Sequence, residues 1–157
     1  MRQQQHQTTV FFIALLMCMA SILVSCGKTI STHPPRGLLT GCGIPLQLDV
    51  MHTPEMRAQG LMHVTSIPDG YGMAFVWPKP TAVAFWMKDT RIPLDVVFFD
   101  DTQRILDIVS MQPLDERSHV APAPIQLAIE VPQGHFATYG VSVGDRCQIS
   151  LPDVVIE

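Results

Sequence analysis

The sequence has no basic run, no internal repeat and no low-complexity segment, and its one long apolar stretch lies at the very start. Lys and Arg number 10 against 14 acidic residues. A phosphate backbone would find no cluster of cations here, so no nucleic-acid partner is expected. Zincin and phosphate-loop motifs are missing, as are compact Met-x-x-Met and His-x-x-x-His sets. The pattern therefore implies no metal site and no cofactor. Cysteines are few as well, four in 157 residues: Cys18, Cys26, Cys42 and Cys147.

What is there begins with an address. Arg2 and the amino terminus precede an apolar run from Val10 to Val24. As a helix, its 15 residues would rise about 22 Å, short of the ~30 Å hydrocarbon core. A positive start, a short apolar run and then small residues make a secretory signal, residues 1–25. The run ends in Leu23-Val24-Ser25-Cys26, which resembles the bacterial lipobox. That resemblance implies lipid on Cys26, and two or three acyl chains anchor a protein firmly where one does not. Gly27, rather than an acid, follows the cysteine and favours the outer membrane over the inner one. A periplasm-facing lipoprotein is expected, with the membrane as a partner through its lipid.

Removal of residues 1–25 takes one of the 10 basic side chains and none of the 14 acidic ones. That leaves 9 against 14, a formal charge of −5. The remaining 132 residues suit one domain. Residues 26–41 hold Pro34-Pro35 and several glycines and read as a tether, and 42–157 read as a single β domain. Cys18 leaves with the signal and Cys26 takes lipid. Cys42 and Cys147 remain, and in an oxidising compartment they are expected to form a disulfide. It would place the strand near Ile44 beside the one holding Cys147.

Residues 44–52 alternate apolar and polar side chains, as a half-buried strand does. Thr53-Pro54-Glu55 then reads as a helix start, with Thr53 as the cap, ending near Gly60. Further strands are expected at 72–77, 82–87, 94–99, 104–110, 125–131, 145–151 and 154–156. Pro78 and Pro80 are expected to end the third segment, and 111–124 reads as a loop. The sum is mainly β: a small barrel or a two-sheet sandwich of six to eight short strands with one short helix.

"RAQGLMHVTSIPDGYGMAFVW", "FWMKDTRIPLDVVFFDD", "IQLAIEVPQG" and "GVSVGD" resemble, in order and spacing, the blocks of the domain of unknown function family 192 (uncharacterised protein family 0127). The resemblance runs from Ile44 to Ile149. It implies a small, mostly β, secreted or membrane-attached protein and no established reaction. His63 stands close to where the family commonly has Arg, and Asp89 where Asn is common.

The block at 84–95 joins a buried-looking Phe85-Trp86-Met87 to Lys88, Asp89, Thr90 and Arg91. Strand alternation puts Phe85 and Met87 on one face and Ala84 and Trp86 on the other. An aromatic face beside convergent polar groups is a recipe for a small-molecule or glycan ligand. Trp86, Lys88, Asp89, Thr90, Asp95 and Glu130 are the candidate ligand-binding residues. Two other functions fit the residues. Asp95 and Glu130 as paired acids would suit an envelope carbohydrate hydrolase. Met51, Met56, Met62, Met73, Met87 and Met111, with His52 and His63, would suit periplasmic copper. Methionine is also a core gap-filler.

Overall fold

A computed structural model describes residues 33–157. The expected signal 1–25, Cys18, the lipid-bearing Cys26 and the tether as far as residue 32 lie outside the described residues. The elements are β1 (Arg36–Thr40), β2 (Leu46–Met51), α1 (Pro54–Gln59), β3 (Tyr71–Thr81), β4 (Ala84–Phe85), β5 (Leu94–Phe99), β6 (Ile105–Met111), β7 (His119–Val120), β8 (Ile125–Pro132), α2 (His135–Thr138) and β9 (Gln148–Ser150). Seven strands form one sheet in the order β6-β5-β8-β3-β2-β1-β9, curled into a half-barrel, and β4 pairs with β7 apart from it. The protein is mainly β, as its alternation implies.

Local chemistry explains the first helix. Thr53 Oγ1 accepts from the Met56 N–H at 3.3 Å, Pro54 opens the helix and Glu55 sits in its first turn. The helix lies within the connection from β2 to β3, which pair in parallel (Leu48 opposite Gly72). A parallel pair requires such a crossover, whereas the remaining sheet pairs are antiparallel.

The sheet separates two cores. One collects Leu48, Val76, Val97, Phe99, Ile129 and Phe136 with Ile105 and Ile149 from the outer strands. The other collects Met73, Phe75, Phe85, Met87, Val96, Phe98 and Met111. Neighbours along a strand go to opposite cores, so strands such as β5 are buried throughout.

The two outer strands meet at one end. Arg104, just before β6, bridges Arg146, just before β9. The Gln103 amide nitrogen donates to Ile149 O and its oxygen accepts from Ile149 N–H, both at 3.0 Å. Beside this junction Cys42 and Cys147 are disulfide-bonded, with their Cα atoms 4.7 Å apart.

Several expectations change. Residues 36–40, read as tether, form β1, which lies between β2 and β9; the Ile44 and Cys147 segments are therefore not neighbouring strands. The disulfide instead flanks the β1–β9 ladder, where Thr40 faces Gln148. β3 runs on past Pro78 and Pro80, but its register shifts between Val76 and Thr81, the irregular pairing that strand prolines tolerate. The strand expected at 82–87 shrinks to β4, the loop 111–124 contains β7, and 154–156 forms no strand. His52 Nδ1 lies 2.9 Å from Val155 O, and the Glu157 N–H donates to His52 O, so that tail follows the α1 side of the chain.

Candidate small-ligand site

A cavity of about 420 Å³ opens over the second core. The end of α1 and the residues after it (Arg57, Gly60, Leu61, Met62) form one wall. Phe75 and Trp77 of β3 form another, and Thr81–Trp86 a third, with Thr90 and Glu130 completing it. Both tryptophans of the chain are among the lining residues.

The segment 84–91 lends this cavity Ala84, Phe85, Trp86 and Thr90. Phe85 and Met87 are buried in the core beneath, while Trp86 is 46% exposed. The Lys88 ammonium stands 5.3 Å from the centre of the Trp86 ring. The chain then turns. Asp89 has φ 54°, the left-handed region, and the Thr90 N–H donates to Met87 O at 3.1 Å. Asp89 O accepts from the N–H of His63, itself at φ 65°. That contact joins the segment after Leu61-Met62 to the Trp86 segment. Thr90 is buried, and its hydroxyl donates to Lys88 O at 3.2 Å. Asp89 thus acts through its backbone, while Trp86 and Thr90 face the cavity.

Glu130 is 5% exposed and lines the same cavity. Burial alone pushes its carboxyl up to about 8. It has no hydrogen-bond or ionic partner among the described residues. Its strand neighbours are Met73 on β3 and Val96 on β5, neither of which carries charge. Gly72 lets β8 come this near, since a Cβ there would lie 2.9 Å from Glu130 O.

Asp95 lies elsewhere. It pairs with Val131 while Val96 pairs with Glu130, so the two acids point to opposite faces of the sheet. The Asp95 carboxylate accepts from Ser110 Oγ at 2.6 Å and from the Gly134 N–H at 2.8 Å. Gly134 precedes α2, so Asp95 fastens that turn to the sheet. The two acids do not form the pair that the hydrolase reading needs. Met51, Met73, Met87 and Met111 are packed into the second core, the gap-filling use of methionine.

Gly140-Val141-Ser142-Val143-Gly144 has the Gly-x-Ser-x-Gly spacing of a nucleophile elbow. An elbow needs a strand before the serine and a helix after it. Here α2 comes before and β9 after. Ser142 donates its N–H to Asp145 Oδ2 at 2.8 Å, and its hydroxyl lies 3.3 Å from the same oxygen. It is a turn serine.

Two solved structures are similar to this chain in fold. A protein of unknown function from Novosphingobium aromaticivorans DSM 12444 is 31% identical, with a TM-score of 0.67 over 72% of this chain and 83% of that one. A protein from Sinorhizobium meliloti 1021, described as a "putative transcription regulator", is 29% identical, with a TM-score of 0.67 over 73% of this chain and 92% of that one. No curated protein matches the chain significantly. Residues 39–149, from the middle of β1 to the middle of β9, match the model of DUF192 (Uncharacterized ACR), and the chain belongs to that family.

Proposed function

We propose that the protein is a lipid-anchored, periplasm-facing module that binds a small organic ligand between the end of α1 and the Trp86 segment. The observation that carries this reading is the convergence of Trp86, Thr90 and Glu130 with Gly60-Leu61-Met62 on one cavity. Residues far apart in the chain, drawn from separate family blocks, supply apolar walls and a few polar groups, as ligand sites do. The anchor rests on the lipobox-like Leu23-Val24-Ser25-Cys26, and the outer membrane on Gly27.

Both tryptophans line the cavity, so intrinsic fluorescence reports on it directly. A screen of sugars, amines and carbonyl compounds should find one that changes this emission and raises the melting temperature. Ligand at a hundredfold Kd adds about 2.7 kcal/mol to stability. Trp86→Ala should abolish the response. A screen in which no compound moves either signal removes the binding reading. For the anchor, Cys26→Ser should no longer incorporate labelled fatty acid, and equal labelling of mutant and wild type would overturn it.

A further inference from the structure

Glu130 sets what the cavity can accept. Its carboxyl reaches the cavity and meets no partner there, although nearly all of its surface is buried. A buried acid without a partner is costly, and a ligand that brings the missing partner recovers that cost. An apolar ligand would fill the walls and leave the acid unmatched. An anion would be repelled once the acid ionises, and Arg57, the other charged lining residue, is committed to Val76 O at 2.8 Å and Glu157 O at 2.7 Å. A metal ion needs several donors, and no group of three His, Cys, Asp or Glu exists among the described residues. The aromatic walls add a second observation. The Arg57 guanidinium lies 5.6 Å from the Trp77 ring centre, and the Lys88 ammonium 5.3 Å from that of Trp86. Both indoles at this cavity already attract cations from the chain itself.

We propose that the cavity takes an organic cation, a protonated amine or quaternary ammonium on an apolar body, with the Glu130 carboxylate as its counter-charge and Trp77, Phe85 and Trp86 as its walls. This inference rests on the small-ligand reading of the cavity and names the ligand's chemical class. Glu130 gives up its proton to solvent as the cation enters. Affinity for a cation of fixed charge should therefore rise with pH up to about 8 and then level off. The groups facing Glu130 from the adjoining strands, Met73 and Val96, do not titrate, and Arg57 keeps its charge throughout.

Benzyltrimethylammonium and benzyl alcohol share an aromatic body and differ in charge. Titrations followed by tryptophan fluorescence should show the cation binding more tightly above pH 8, by about tenfold or more. Below that pH its affinity should fall by up to about tenfold per unit. Benzyl alcohol should show neither trend. Glu130→Gln, which keeps the shape and loses the charge, should lose the pH dependence and most of the preference for the cation. Equal affinities in the wild type overturn the inference while leaving the small-ligand reading intact. So does a cation preference that survives Glu130→Gln undiminished and still varies with pH. If neither probe alters the fluorescence, the inference falls, and the broader screen decides the small-ligand reading separately. Should Glu130→Gln fail to fold, the wild-type comparison of the two probes across pH still decides.

Discussion

At Glu130 the chain buries a carboxyl that ionises near 4.5 when exposed and near 8 in the fold. Between those values the folded chain holds more proton than the unfolded one. Stability therefore decreases as pH rises through that window and levels off above it. Urea midpoints for the wild type should decline across the window, and Glu130→Gln should remove the Glu130 part of the decline. Identical pH slopes for the two proteins would show that the acid is not buried as described. The neighbouring pair Trp86 and Met87 gives a second contrast. Met87 is fully buried, so Met87→Ala should cost about 2–5 kcal/mol. Trp86→Ala should cost clearly less stability, because nearly half of that side chain is in solvent, yet lose ligand binding. Equal losses of stability would place Trp86 in the core. Asp89 is a residue whose meaning the sequence hides. The family resemblance marks Asn as common there, which invites a ligand role; φ 54° supplies a backbone reason, since Asn and Asp tolerate the left-handed region.

Elements with a short apolar run bounded by turn residues, or with a cap signal, were legible in the sequence. β5 has the expected bounds 94–99, and Thr53 caps α1. β1 was not, because "RGLLT" places two leucines side by side and only Leu39 of the two is buried. Its glycine looks like tether, yet a Cβ at Gly37 would lie 2.9 Å from Ser150 O, so the residue permits close pairing with β9. Periodicity likewise shows that Trp86 and Phe85 diverge, but it cannot place Glu130 on the same cavity as Trp86 and Asp95 on the far face. That depends on the register of β5 against β8, which no local pattern records. The junction at Gln103 belongs to this scale too. Gln103→Ala removes both partners of Ile149 and should cost about 1–3 kcal/mol. Hydrogen exchange at the Ile149 amide should speed up well beyond that at Val97 in the sheet centre. Unchanged exchange would mean that Gln103 does not hold the two ends together.

For the whole molecule, the Cys42–Cys147 bridge closes a loop of 105 residues. Chain entropy gives such a loop about 5 kcal/mol of stabilisation. The double variant Cys42→Ser, Cys147→Ser should unfold at a correspondingly lower denaturant concentration, with its cavity fluorescence intact under native conditions. An unchanged midpoint would mean that the bridge constrains nothing in the unfolded chain.

The position of β1 between β2 and β9 has a consequence in time. Synthesis delivers residues 36–40 more than a hundred residues before residues 148–150. On one side β1 can find β2 within a few residues, but its other side must wait for nearly the entire domain. Pairings so distant along the chain form slowly, because the intervening loop must be closed before they repay it. Until the last strand arrives, Leu39 lacks the cover of Ile149, its partner across the ladder. A chain truncated before Gln148 would keep both parallel strands and the cavity walls and still be left with an open seam where the first strand expects the last.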